Sequence, residues 1–218
     1  MLPGDLLPRA FFARKATEVA PDLLDCVFWS DSPDGLVAVR LVEVEAYEGA
    51  ADPASHAFRG ETRRNAVMFG EPGHAYVYFT YGMHYCVNLT CQPPGEASAV
   101  LLRAGQVIEG NGLAALRRSG TAERATPLRE RDLARGPGRL CQALGIDRSL
   151  DGTDVCTPGT ALGIAAPPAA VDAADIRTGP RVGITRAADW PLRFWLANDP
   201  YVSAYKGNGT PGVRKSST

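Results

Sequence analysis

Between residues 36 and 46 apolar and polar side chains alternate, the period-2 signature of a β-strand with two unlike faces. Val37, Val39, Leu41, Glu43 and Glu45 fall on one face, and Ala38, Arg40, Val42, Val44 and Ala46 on the other. Residues 76–81, then Gly82, then residues 83–89 predict two more strands joined by a tight turn. Further short strands are predicted at 100–104, 161–165, 181–185 and 192–196. The clearest helix covers 137–144, with Pro137 at its first position, Gly136 before it and Gly145 after it. Strands that outnumber helices and pair through hairpins predict an α+β domain on a mostly antiparallel sheet. Residues 153–180, rich in Ala, Pro and Asp, predict an exposed excursion around one short strand. One domain is expected over 1–205. The stretch 206–218 is polar, Gly-rich and basic, and is expected to be a disordered tail.

Apolar residues make up 45% of the 218 and charged residues 22%, enough to bury a core. No run of 18 apolar residues offers a transmembrane helix, and the first residues lack the pattern of a secretory signal. A cytoplasmic protein with no membrane partner is expected, in the bacterial cytoplasm or nucleoid. The net charge of −1, from 23 basic and 24 acidic residues, argues against a strongly basic nucleic-acid binder. All basic residues except Lys15, Lys206 and Lys215 are Arg. That bias suits bidentate phosphate contacts, although a coding sequence rich in G and C would produce it without any function. The five cysteines are odd in number and lack C-x-x-C spacing, so reduced structural thiols are expected. Neither G-x-G-x-x-G nor a Walker A loop is present, and no cofactor is expected.

All three histidines, His56, His74 and His84, and four of the seven tyrosines, Tyr76, Tyr78, Tyr81 and Tyr85, fall within 56–85. An aromatic cross-strand ladder would explain the tyrosines without any function. Two details go further. Tyr81-Gly82-Met83 puts bulky side chains at a hairpin tip, where polar turn residues are usual, and such a tip can wedge between stacked bases. Asn88 sits mid-strand, where Asn is depleted, and its amide could read a base edge. Glu43 and Glu45 stand near a strand end, which is a rigid mount for a catalytic group. Either could equally be a solvated strand carboxylate. Neighbours on one strand face cannot flank a bond as paired glycosidase carboxylates do, so a single catalytic carboxylate is the better reading. The histidine spacing fits no zinc motif, and no metal is expected.

Together the stretch from Glu43 to Tyr47, then His56, then Tyr76 through Asn88 resembles the alkyladenine (3-methyladenine) DNA glycosylase family. Matches continue through Val100-Leu-Leu-Arg103-Ala, Gly136-Pro-Gly-Arg-Leu-Cys-Gln-Ala-Leu144, Arg181-Val-Gly183 and Pro191-Leu-Arg-Phe194, covering about residues 7–205. The resemblance implies a single α+β domain: a curved antiparallel sheet, surrounding helices and a protruding hairpin. It implies an enzyme that flips a damaged purine out of double-stranded DNA and hydrolyses the base–sugar bond. By the same resemblance Glu45 activates the attacking water, with Arg103 and the Val182 carbonyl holding it. Tyr47, His56 and Tyr78 sandwich the flipped base, Asn88 bars undamaged guanine, and Tyr81 fills the gap in the duplex. Met83, Arg64, Asn65 and Arg139 are implied DNA contacts.

An alkylated purine is a cationic leaving group that aromatic faces attract, so one positioned water and one carboxylate complete the chemistry. Lyase-type glycosylases need an amine, and all three lysines lie in terminal segments, so a monofunctional enzyme leaving an intact abasic site is expected. A monomer with no obligate protein partner is expected. His84, Thr80 and a short 58–64 segment depart from the family pattern, in places that bear on DNA grip and damage spectrum. Two other readings remain open: a non-catalytic module for single-stranded nucleic acid, built on Tyr76-Val-Tyr-Phe, and a metal-dependent hydrolase built on the histidines.

Overall fold

The computed structural model describes residues 5–120, 128–167 and 169–205; the expected tail at 206–218 lies outside the described residues. The chain begins with two short helices, α1 (Arg9–Phe12) and α2 (Ala16–Asp22). Strands β1 (Val27–Ser32) and β2 (Gly35–Tyr47) follow as a hairpin, then β3 (Ala75–Thr80), β4 (His84–Cys91) and β5 (Ser98–Glu109). Helices α3 (Asn111–Ser119) and α4 (Pro137–Leu144) precede β6 (Leu162–Ala165), β7 (Ile176–Gly179) and β8 (Arg193–Leu196). Every strand pair is antiparallel, as the hairpin-rich pattern predicts. Among the described residues no helix is long and apolar enough to cross a membrane.

β2 is the spine. One edge pairs along its length with β5. The other edge is shared: residues 35–40 pair with β1, and Glu43, Val44 and Glu45 pair with β8. The sheet therefore runs β3-β4-β5-β2-β1-β6, with β8 and β7 branching beside the far half of β2.

That fork overturns the simple alternation expected for β2. An extra residue on β2 between Leu41 and Glu43, answered by one on β5 between Ala104 and Leu102, makes two facing bulges. Leu41 and Val42, consecutive in the chain, both enter the core. Alternation is thus inverted past the bulge: Val37, Val39 and Leu41 share the core face with Val42, Val44 and Ala46. Glu43 and Glu45 point to the opposite face, with Arg103 facing them from β5.

The segment 181–185 is irregular rather than a strand. Gly183 takes a positive φ of 76°, and Arg181 is fully buried, so the chain there turns instead of extending. Residues 153–180 are less exposed than expected: they carry both β6 and β7, and Val155 lies in the core.

The helix at 137–144 forms with the expected bounds. Pro137 starts it, and Gly145 ends it in the left-handed region. Ile146 N–H donates to the Cys141 carbonyl and Gly145 N–H to the Gln142 carbonyl, a Schellman closure. Its inner face buries Leu140, Cys141, Ala143 and Leu144, each large apolar side chain worth about 1.5–3 kcal/mol. The β3–β4 hairpin leans on the start of this helix. Gly138 makes that possible, since a Cβ there would lie 2.9 Å from both Cβ and Cγ of His84.

Gly138→Ala should therefore destabilise the protein by about 1–3 kcal/mol despite alanine's better helix propensity. Chemical denaturation checks it, and in a His84→Gly background, which removes both clashing atoms, Gly138→Ala should cost little further stability.

Candidate active site

Five adjacent strands present their second face to a common space. β3 contributes Tyr76 and Tyr78, and β4 contributes Cys86 and Asn88, directly paired with them. β5 adds Leu101, which pairs with Asn88, and Arg103. β2 adds Glu43 and Glu45, and β8 adds Arg193. A cavity of about 190 Å³ lies over this face, lined by Tyr47, His56, Tyr76, Tyr78, Asn88 and Arg103 among others. Its upper walls are the loop carrying Ala54 and His56 and the turn Val182-Gly183-Ile184.

Glu45 has no exposed surface. Its Oε1 accepts the Val182 N–H at 2.7 Å and faces Arg103 Nη1 at 3.3 Å. Its Oε2 accepts the Tyr47 hydroxyl at 2.9 Å. Burial pushes its pKa up, opposed by Arg103, the Val182 N–H and Tyr47; the charge of Glu43 adds to the rise. Burial, then Glu45 itself, lifts the Tyr47 pKa well above the phenol value, so Tyr47 stays a neutral donor.

Glu43, expected as a possible solvated carboxylate, is equally buried. Oε1 accepts from Arg103 Nε at 3.0 Å, Arg193 Nη1 at 3.1 Å and Ser203 Oγ at 2.9 Å, while Oε2 accepts the Ser203 N–H at 2.7 Å. Arg193 in turn lies between two rings, 4.2 Å from Trp195 and 5.0 Å from Tyr205.

The cavity walls are aromatic. His56 and Tyr78 meet edge to face with centroids 4.5 Å apart, and Tyr76 stacks on Tyr78 at 5.5 Å. His56 Nδ1 and the buried Tyr76 hydroxyl are 3.0 Å apart. Burial away from water lowers the His56 pKa, and the nearby Arg64 cation lowers it further. Asn88 donates to the Tyr76 carbonyl at 3.2 Å, which fixes its amide at the cavity floor.

The hairpin tip reaches past the cavity. Tyr81 and Gly82 both have positive φ, and Met83 N–H closes on the Thr80 carbonyl, a two-residue turn of the primed kind. Tyr81 is 77% exposed and Met83 68%. Arg64 and Arg139 are exposed as well. Asn65, expected among the DNA contacts, is instead buried and fully used. Its Nδ2 donates to the His56 and Gly60 carbonyls, and its Oδ1 accepts from both the backbone and the hydroxyl of Thr62. It shapes the His56 loop and has no polar atom to offer a ligand. The histidines are not brought together: His74 contacts Arg9 and Glu71, while His84 lies against Gly138.

Sequence reasoning passed over the pair that closes the cavity. Arg181 and Asp52, both fully buried, form a two-pronged ion pair, with Arg181 Nη2 2.9 Å from Asp52 Oδ1. Arg181 also donates to the Ala46 carbonyl at 3.0 Å and lies 4.5 Å over the Tyr47 ring. The pair buckles the His56 loop to the Val182 turn. A charged residue within an otherwise apolar or Gly-rich stretch was the available signal, and Arg193 within Leu-Arg-Phe-Trp-Leu is the same.

A family model described as methylpurine-DNA glycosylase matches residues 10–200. The chain belongs to that family: it is a DNA glycosylase, a hydrolase of N-glycosyl bonds serving DNA repair. It is 51% identical over 213 residues to a Streptomyces avermitilis protein named "Putative 3-methyladenine DNA glycosylase", covering 96% of each chain. Proteins of the same name from Leifsonia xyli and Burkholderia lata are 51% and 49% identical over 202 and 205 residues, covering 91% and 92% of this chain and 92% of each relative.

Two outcomes follow. Removing Asp52 strands Arg181 in the interior, so Asp52→Ala should cost about 3–5 kcal/mol in urea denaturation, much of it recovered in Asp52→Ala/Arg181→Met. The raised pKa of Glu45 means that its contribution to stability is present below the ordinary carboxylate pKa and lost as pH rises through the folded value. Glu45→Gln should therefore melt higher than wild type at pH 8, and the difference should shrink as pH falls towards 4.

Proposed function

We propose that this glycosylase removes alkylated and deaminated purines (3-methyladenine, 7-methylguanine, hypoxanthine and ethenoadenine) from double-stranded DNA, using Glu45 as general base. One observation carries the reading: a desolvated carboxylate held by the Val182 N–H, the Arg103 guanidinium and the Tyr47 phenol, three residues that all line an aromatic-walled cavity. The names of the relatives support 3-methyladenine as one substrate.

A purine extruded from the stack would enter between Tyr47 on one side and His56 and Tyr78 on the other. Stacking is sequence-tolerant, and a cationic alkylated ring gains further from the quadrupoles of the aromatic faces. A neutral His56 adds no repulsion to that cation. Asn88 stands at the floor, where its fixed amide would clash with the exocyclic amine of guanine. 7-Methylguanine keeps that amine, so it should be held less well than 3-methyladenine and leave by virtue of its cationic ring. Tyr81, at the exposed tip, would occupy the place the base has left. Met83, Arg64 and Arg139 would contact the duplex nearby.

In the chemical step a water oxygen bonds to C1′ of the deoxyribose and the C1′–N9 bond breaks. The bonding electron pair leaves with the base, neutralising its positive charge if it is alkylated, and the water proton passes to Glu45. The carboxylate also offsets oxocarbenium-like charge on the sugar as the bond opens. Val182 would help hold the water through its carbonyl, while its N–H fixes Glu45. Neutral hypoxanthine needs a protonated leaving group that these residues do not obviously provide, so it should leave more slowly. Lys15 is exposed at the start of α2, remote from the site in the chain. With no lysine among the described residues that line the cavity, the product is an intact abasic site.

Single-turnover assays on duplexes holding one ethenoadenine or hypoxanthine, beside methylated DNA, test this. Wild type should release base with or without chelator and leave the strand uncut until treated with alkali. Glu45→Gln should bind the same duplex yet release base about 10²–10⁴-fold more slowly. Tight binding without release from any lesion would sink the reading and favour a module that binds DNA without cutting the glycosidic bond.

A further inference from the structure

One of the most heavily bonded side chains among the described residues, Glu43, is not one that the proposed chemistry uses. Glu43 has no exposed surface and, unlike Glu45, whose partners Tyr47, Arg103 and Val182 all line the cavity, it is anchored by Arg193 and Ser203, which do not. Two guanidiniums and two donors of Ser203 converge on Glu43. Ser203 arrives from 160 residues further along the chain, in the segment that crosses the sheet after β8.

The consequence falls on Arg103. Its Nε is tied to Glu43 at 3.0 Å, so its Nη1 edge is turned to Glu45 at 3.3 Å and its guanidinium is held at the cavity wall. Guanidinium planarity makes this a fixed relation: holding Nε sets the direction of the remaining N–H groups. We propose that Glu43, anchored by Ser203 and Arg193, is a positioning residue that holds Arg103 across Glu45 and so sets both the aim and the basicity of that carboxylate. The proposal rests on the glycosylase reading of Glu45.

Two effects of Glu43 act in the same direction. Its negative charge disfavours a second charge on Glu45, and it draws off part of the Arg103 cation that would otherwise stabilise Glu45 alone. Both keep Glu45 a stronger base than it would be if paired with Arg103 by itself. The other groups facing Glu45 are Tyr47 on its own strand, Tyr78 from β3, Cys86 from β4 and the Val182 N–H. All are neutral near pH 7, since burial raises the pKa values of both phenols and of the thiol. Glu43, Arg103 and Arg193 are thus the charges that can tune it.

The test compares Glu43→Gln and Glu43→Asp with wild type in two measurements. One is the pH profile of single-turnover base release. The other is the titration of the Glu45 carboxyl carbon by NMR with ¹³C-labelled glutamate, which needs no turnover. In Glu43→Gln the acid limb and the Glu45 titration should both move to lower pH, with the plateau rate down roughly 10–100-fold. Glu43→Asp keeps the charge and should return both midpoints towards wild type, with a reduced plateau because the shorter arm displaces Arg103. Unmoved midpoints in a folded Glu43→Gln would overturn the proposal, as would identical profiles for the two variants. If Glu43→Gln does not fold, Glu43→Asp decides: a slowed plateau with normal melting supports positioning, and a wild-type plateau defeats it. A wild type that releases no base would fail the glycosylase reading alone, because the carboxyl titration still reports on Glu43.

Discussion

Four charges share the desolvated face of one sheet: Glu43, Glu45, Arg103 and Arg193, none more than 6% exposed. Taking an ion out of water costs several kcal/mol even after relaxation, and mutual attraction offsets this only when geometry and hydrogen bonds are complete. Much of the architecture follows from meeting that condition. The fork in the sheet sets β8 beside β2 only along Glu43, Val44 and Glu45, which brings Arg193 within reach of Glu43. The facing bulges turn both carboxylates away from the apolar core and towards Arg103. The segment beyond β8 adds Ser203 and, through Tyr205, a second ring against Arg193. Remove Glu43 and the Arg193 guanidinium loses its carboxylate in the interior.

Division of labour between rigid and adaptable parts follows from this. The charged floor is mounted on strands, whose positions are fixed by ladders on both sides. The walls come from irregular segments, the His56 loop and the Val182 turn, which lack a ladder of their own. They acquire comparable definition from the buried Asp52–Arg181 pair and from Asn65, whose amide closes the loop on itself. Arg181 also lies over Tyr47, which donates to Glu45, so the clamp and the carboxylate share a neighbour. A loop strapped in this way can present His56 to the cavity without a helix or strand beneath it.

How much of this could be read from the chain depends on how local the determinants are. Helix α4 formed with its expected bounds because its signals, Pro137 and Gly145, act on their own turns. The hairpin at Tyr81 and Gly82 was legible for the same reason. The faces of β2 were not. Period-2 reasoning assumes an unbroken ladder, and the bulge after Leu41 depends on a compensating irregularity in β5, some sixty residues away. β7 went unpredicted because its pairing with β8, more than its own Ile-Arg-Thr-Gly, makes it a strand, whereas β1 was passed over although Val27, Phe28 and Trp29 favour a strand. At the site the aromatic and acidic residues stood out by type. The burial of Asn65 and of Glu43 could not be read from the chain because burial and bonding are tertiary facts: the same asparagine or glutamate in a solvated loop or strand would look identical in sequence. Asp52 and Arg181 were invisible as a pair, since 129 residues separate them.

Tyr81 shows how a departure from local rules can itself be informative. It holds a positive φ of 52° at a turn position that Asn, Asp or Gly fills most comfortably. A left-handed conformation costs an L-residue about 1–2 kcal/mol. Exposing a large ring at the tip returns nothing to the folded state on its own. Neither fold nor stability accounts for a tyrosine there, whereas a polar turn residue would satisfy both. The strain becomes intelligible if the ring meets apolar surface elsewhere; Tyr81 also helps line the cavity, and under the proposed function the gap left by an extruded base would supply that surface. In this arrangement the helix under the hairpin matters as much as the tip. Gly138 lets His84 pack directly on the first turn of α4, so the hairpin is backed by the helix.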